Sequence, residues 1–173
     1  RLLTDSDNEV AEVMLRQAAI AAGEPASFEG GAATVKKSLT AAKVSTSGLV
    51  LYDGSGLSRK NRISAQTLVG VLSASAKSPA TSAVLSGLPV GGFTGTLDDR
   101  FGGGTAAQGL GRAKTGTLTG VHSLAGLATL SGGRPIAFAL MADQTEQVNP
   151  FVVQAAIDRV AADLVACACK GSG

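Results

Sequence analysis

The hydrophobic period changes along this chain, and that change constrains the fold more than any other feature. Up to about residue 86, apolar residues recur at helical spacing. From residue 113 they fall into short strand-like runs, and a last helical stretch closes the chain. Between these halves lies an irregular segment over 87–112. Glycine accounts for 23 of the 173 residues, many of them between Gly87 and Gly133. Helices, then an antiparallel meander, then a closing helix predict one layered α+β domain rather than repeated strand–helix–strand units.

Local signals divide these halves further. Ser6, with Glu9 three residues on, has the form of a capping box opening a helix that runs to Ala22 and stops at Gly23. Val10, Val13, Met14 and Ala18 form its expected inner face. A second helix is expected over 32–42, with Ala32, Val35, Leu39 and Ala42 inward. Residues 48–52 read as a short apolar strand or extended segment entering a turn at Asp53-Gly54-Ser55-Gly56. Ser64 is placed to cap a third helix carrying Leu68, Val69 and Leu72, and a short helix is expected near 80–86. Strands are expected over 113–119, 123–130 and 135–142, the last two joined by a hairpin turn at Ser131-Gly132-Gly133-Arg134. The closing helix over 152–167 would turn Val153, Ala156, Ile157, Val160, Ala161 and Leu164 inward.

Composition excludes several function classes. A net charge of +2 gives no electrostatic case for a nucleic-acid or membrane-surface partner, and aromatic residues at 3% offer no stacking platform for bases. No apolar run reaches the roughly 18 residues of a membrane span. Cys167, Cys169 and the single His122 cannot assemble a four-ligand zinc site, and no other metal or cofactor is implied. On a helix the two cysteines would point to different faces, which argues against a mutual disulfide. The opening residues turn polar at once, without signal-peptide character, and the chain reads as a processed or partial one.

Most short motifs fail on inspection. Ala113-Lys114-Thr115-Gly116 lacks the glycine that a phosphate loop needs before its lysine. Asp53-Gly54-Ser55-Gly56 lacks the leading glycine of a nucleophile elbow. His122 lies in an apolar strand and suits a structural role better than a catalytic triad, and Asp98-Asp99 suits a solvated or ion-paired role better than acid–base work. Two elements remain, Ser6-Asp7-Asn8 and Lys114-Thr115-Gly116. Each is short, and helix capping accounts for the first by itself.

Their order and surroundings resemble the penicillin-binding D-alanyl-D-alanine carboxypeptidases of the low-molecular-mass class C type. Ser6-Asp7-Asn8 is similar to the family's S-x-N element, and Tyr52 to Arg59 followed by Asn61 to a family hallmark segment. Leu88 to Gly92 with Gly95-Thr96-Leu97 and Arg100-Phe101 looks like the loop before the catalytic strand. Lys114-Thr115-Gly116-Thr117-Leu118 resembles the K-T-G strand itself. The resemblance spans Ser6 to about Ala142 and implies the β-lactamase/DD-peptidase transpeptidase-like fold, an antiparallel sheet flanked by helices. One departure matters: the family's nucleophile sits in an S-x-x-K element, and this chain has none. Thr40-Ala41-Ala42-Lys43 has the spacing but begins with threonine. The nucleophile is therefore expected on an upstream segment or companion chain, and residues 1–173 are expected to be the C-terminal portion of the domain.

The implied chemistry is acyl transfer through a serine ester, as a carboxypeptidase and also as an endopeptidase, on peptidoglycan stem peptides ending in D-Ala-D-Ala, with β-lactams as acylating mimics. The resemblance casts Ser6 as proton relay and Asn8 as holder of the absent lysine and a substrate amide. Lys114 becomes the cation facing Ser6 and the substrate carboxylate, with the Thr115 and Thr117 hydroxyls binding that carboxylate. Gly116 lets substrate backbone approach, and the Thr117 N–H becomes an oxyanion donor. Asp53, Ser55, Ser58 and Arg59 read as a supporting turn. A β-lactamase on the same fold and a non-catalytic cell-wall binding protein remain alternatives. The substrate class implies export to the periplasm or outer cell surface, with no nucleic-acid partner.

Overall fold

The computed structural model describes residues 1–105, 107–109 and 111–167. Five α-helices and three strands follow in the order α1 (Asn8–Ala21), α2 (Phe28–Ala41), α3 (Ala65–Lys77), α4 (Ser82–Ser86), β1 (Gly111–Leu118), β2 (Val121–Thr129), β3 (Pro135–Ala142) and α5 (Pro150–Ala166). The change of period thus marks the change from helix to sheet.

The N-terminal half carries the largest corrections. Asp7, not Ser6, caps α1, its carboxylate accepting the Val10 N–H at 3.1 Å. The helix closes as expected at Gly23, where the Glu24 N–H reaches back to the Ala19 carbonyl at 2.9 Å. Its buried residues are Leu15 and Ala19, whereas Val13 and Met14 are 54% and 53% exposed and Ala18 is exposed. The helix is apolar on more than one side, and packing against α2 selects the Leu15 stripe. That contact is close because a Cβ at Gly31 would run into the Leu15 side chain. The second helix starts at Phe28, earlier than expected, with the Ser27 hydroxyl accepting the Gly30 N–H. Gly30-Gly31 lies inside this helix and, with Thr34, forms its buried face. Val35 and Leu39 are only half-buried and Ala42 is exposed.

Residues 48–52 form no strand of the sheet. Val50 pairs only with Arg62, in an isolated bridge that pinches off the Asp53 turn. Ser64 caps α3 as expected, accepting the Thr67 N–H at 3.1 Å.

The sheet is antiparallel with order β1-β2-β3. Its register sets Lys114 opposite Ala125, Gly116 opposite Ser123 and Thr117 opposite His122. One face, with Ala113, Leu124, Ala128 and Phe138, packs on Val153, Ile157, Ala161 and Val165 of α5. The other, through Ala125, packs on Leu72 of α3 and Leu88. Within α5, Val165 is buried, while Ala156 is exposed and Val160 is 51% exposed, contrary to the expected face. Arg100 lies just before the glycine-rich loop and is 8% exposed. Its guanidinium forks onto Asp158 of α5, with Nε at 3.1 and 3.0 Å from the two carboxylate oxygens. Asp98 and Asp99 are exposed.

The helix α5 ends at Ala166, and Cys167 adopts an extended conformation. Helical geometry therefore does not govern Cys167, which is disulfide-bonded. Cys169 lies outside the described residues.

Candidate active site

Three segments distant in sequence meet at the N-terminus of α1. Residues 1–7 approach the loop before β1, and the Thr4 hydroxyl donates to the Gly87 carbonyl at 2.9 Å. The Thr4 carbonyl accepts the Thr96 N–H at 3.1 Å. Gly95 makes this approach possible: its φ is +56°, and a Cβ there would collide with the Thr4 carbonyl. Two residues on, Ser6 holds a left-handed backbone with φ +57°, a conformation that side-chain-bearing residues rarely adopt. This excludes Ser6 from the cap and turns its hydroxyl toward β1.

There Lys114 Nζ donates to Ser6 Oγ at 2.7 Å, joining residues 108 positions apart. The same Nζ donates to the Thr115 carbonyl at 2.7 Å, which leaves its third N–H for another acceptor. Burial lowers the Lys114 pKa below the usual lysine value, because desolvation disfavours the cation. Both partners are neutral oxygens, and no carboxylate pairs with Lys114 among the described residues. The Thr115 hydroxyl donates to Thr96 Oγ1 at 3.0 Å. Asn8 is the exposed first residue of α1 and, with Ser6 and Lys114, lines a groove of about 440 Å³ whose apolar side includes Met14, Ala18 and Val35. Gly116 sits where a Cβ would press on Ser123 Oγ of β2, so a side chain there would require the Ser123 hydroxyl to turn away.

β1 is an edge strand with one half covered. The Gly91 N–H donates to the Gly111 carbonyl and the Ala113 N–H to the Pro89 carbonyl, each at 3.0 Å. Odd-numbered residues of β1 therefore turn their peptide groups away from β2. By that alternation Thr115 and Thr117 present theirs at the stretch beyond Ala113, where no strand pairs among the described residues. Thr117 is exposed. His122 is buried in β2, across from Thr117 and Ala142.

The Asp53 turn forms one wall of the groove through Gly54 and Ser55. Asp53 accepts the Gly56 N–H, the Ser58 N–H and the Asn61 amide, which fixes the turn internally. Glu12 of α1 anchors it externally, accepting the Gly54 N–H, the Ser55 N–H and the Ser55 hydroxyl at 3.1, 3.0 and 2.6 Å. Burial would raise the Glu12 pKa, but these three donors outweigh it and the net shift is downward. Arg59 reaches the Thr119 carbonyl after β1. Glu12 carries no motif of its own, and Thr96 stands out in the sequence only as part of the loop before β1. A carboxylate one helical turn after Asn8 was the available signal for Glu12.

A family profile described as the D-Ala-D-Ala carboxypeptidase 3 (S13) family matches residues 1–164. The chain belongs to that family. Carboxypeptidase DacB of Mycolicibacterium smegmatis is 41% identical over 98% of this chain and 37% of its own length. The D-alanyl-D-alanine carboxypeptidase of Actinomadura sp. strain R39 is 36% identical over 88% of this chain and 29% of its own length. The crystal structure of penicillin binding protein 4 from Haemophilus influenzae, complexed with a β-lactam, superposes with a TM-score of 0.81 at 28% identity, covering 95% of this chain and 40% of that one. The fold is thus the expected penicillin-binding one. The chain spans 37% of the length of the first of these relatives and 29% of the second.

Proposed function

We propose that residues 1–173 are the C-terminal portion of a serine-type D-alanyl-D-alanine carboxypeptidase domain, acting on peptidoglycan stem peptides outside the cytoplasm and acylated by β-lactams. The observation that carries this reading is the Lys114–Ser6 contact beside an open strand edge. A desolvated cation with only neutral partners is costly unless an anion arrives to complete it. A peptide's terminal carboxylate is such an anion, and the open edge supplies main-chain groups to align that peptide as an added strand.

In this reading an upstream Ser-x-x-Lys supplies the nucleophile. Its segment seats in the groove beside Ser6, where Met14 and Ala18 offer apolar surface. The serine attacks the carbonyl between the two D-alanines. The outward Thr117 N–H stabilises the developing oxyanion, a contribution typically worth about 3 kcal/mol. Ser6, whose hydroxyl both accepts and donates, passes the proton to the departing amine, aided by the field of Lys114. Asn8 at the groove rim holds the upstream lysine and a substrate amide. Lys114 and the Thr115 hydroxyl hold the terminal carboxylate. Water then hydrolyses the ester. Attack on an internal cross-link instead of a terminal bond is the endopeptidase form of the same chemistry.

Labelling of the full-length protein with a fluorescent penicillin tests the proposal. A long-lived covalent adduct is expected. A folded protein that takes no label overturns it, and rapid turnover of the drug would instead identify a β-lactamase.

A further inference from the structure

Thr96 occupies a position that none of the roles above uses. It is half-buried, tied through its N–H to the Thr4 carbonyl and through its hydroxyl to Thr115. It thus links the segment that carries Ser6 to the strand that carries Lys114. A threonine hydroxyl has one hydrogen and two lone pairs. Thr115 gives its single hydrogen to Thr96, so in this state it has none for a carboxylate. A carboxylate only accepts hydrogen bonds. For Thr115 to bind one, its hydrogen must turn outward, and Thr96 must then be a donor rather than an acceptor if the two oxygens at 3.0 Å are to remain bonded.

We propose that Thr96 is a positioning and specificity-determining residue whose hydroxyl reverses direction when the substrate's terminal carboxylate binds. The Thr96 hydroxyl donates to Thr115 Oγ1, and the Thr115 hydrogen moves onto the carboxylate. No covalent bond changes; two hydroxyls rotate. Ordering the pair selects a ligand end that accepts without donating. A neutral terminal carboxamide presents N–H groups as well as an acceptor and gains less from the reversed pair. The inference rests on the carboxypeptidase reading of the site.

The test compares Thr96→Val, which removes the hydroxyl at nearly constant shape, with Thr96→Ser, which keeps it, in the full-length protein. Each is assayed on two stem-peptide analogues, one ending in a free carboxylate and one in a carboxamide. Thr96→Val should lower kcat/KM on the carboxylate substrate by about tenfold, the effect of losing support for one charge-assisted hydrogen bond. The carboxamide rate should change far less, and Thr96→Ser should restore discrimination. Equal losses on both substrates would mark Thr96 as merely structural and overturn the inference, as would no loss on the carboxylate substrate. A folded wild-type protein that cleaves neither analogue and takes no penicillin would overturn the carboxypeptidase reading itself, and this inference with it.

Discussion

Among the described residues, Arg100 and Lys114 are both drawn out of water, and they are treated in opposite ways. Arg100 is almost fully buried, and its guanidinium meets both carboxylate oxygens of Asp158 on α5. Lys114 is partly buried and meets only a hydroxyl and a carbonyl. The first charge is neutralised by the fold itself and holds the loop before β1 against the last helix. The second is desolvated and meets only neutral oxygens, so the fold supplies it no counter-charge among the described residues. Burial alone does not mark a functional cation; burial with neutral partners beside an open groove does. The left-handed Ser6 belongs with the second case, since its strained backbone brings the hydroxyl to Lys114 rather than to the helix cap.

The sharpest way to break the contrast is to remove each charge in turn in the full-length protein. Lys114→Gln keeps a donor but no cation. It should lower kcat/KM on a carboxylate-terminated peptide by about a thousandfold, combining lost anion binding with a weakened relay. Thermal stability should hold or rise, because a desolvated charge is gone. A residual rate within tenfold of wild type would remove Lys114 from the site. Asp158→Ala should do the reverse. It strands Arg100 without its counter-ion and should cost about 3 kcal/mol in denaturant unfolding, while the surviving folded protein keeps its kcat. If Asp158→Ala proves neutral to stability, the Arg100 pair is not the structural member of the comparison.

Much of the architecture is legible in the sequence because local chemistry agrees with the tertiary outcome. Ser64, Gly23 and the Ser131–Arg134 hairpin act where expected, and the period change locates the sheet. Local chemistry fails where close packing decides. Gly30-Gly31 looks like punctuation, yet it lies inside a helix, where Gly31 permits the close approach of α1 and Gly30 that of Pro25. The helix α1 carries apolar residues on more than one side, and packing against α2 selects the Leu15 stripe. At the site, the Ser6–Lys114 pairing was recognisable through the ordered motifs and not through spacing, since the partners lie 108 residues apart. Thr96 and Glu12 were not singled out because a lone threonine or glutamate carries no signal until its partner is known.

Glu12 offers the smallest and most discriminating extension of the comparison. Like Lys114 it is a charge whose bonds come from neutral groups, but three donors converge on it and the carboxylate is satisfied in place. That predicts a clamp, not a ligand site. Its folded pKa lies below the ordinary carboxyl value despite the opposing effect of burial, so the ionised form contributes stability. The contribution is full above the unfolded carboxyl pKa and is lost as pH falls through the lower folded one. Glu12→Gln should therefore be less stable than wild type by about 1 kcal/mol at neutral pH, a value kept small by the partial exposure of the group. The two stability curves should converge in acid, below the ordinary carboxyl range. Activity should fall only a few-fold, through a looser groove wall at Gly54 and Ser55. A stability gap that persists unchanged into acid would mean that the shape of Glu12, not its charge, holds the turn. A thousandfold loss of activity at unchanged stability would place Glu12 beside Lys114 in the chemistry and erase the distinction between a charge the fold completes and one it leaves for the substrate.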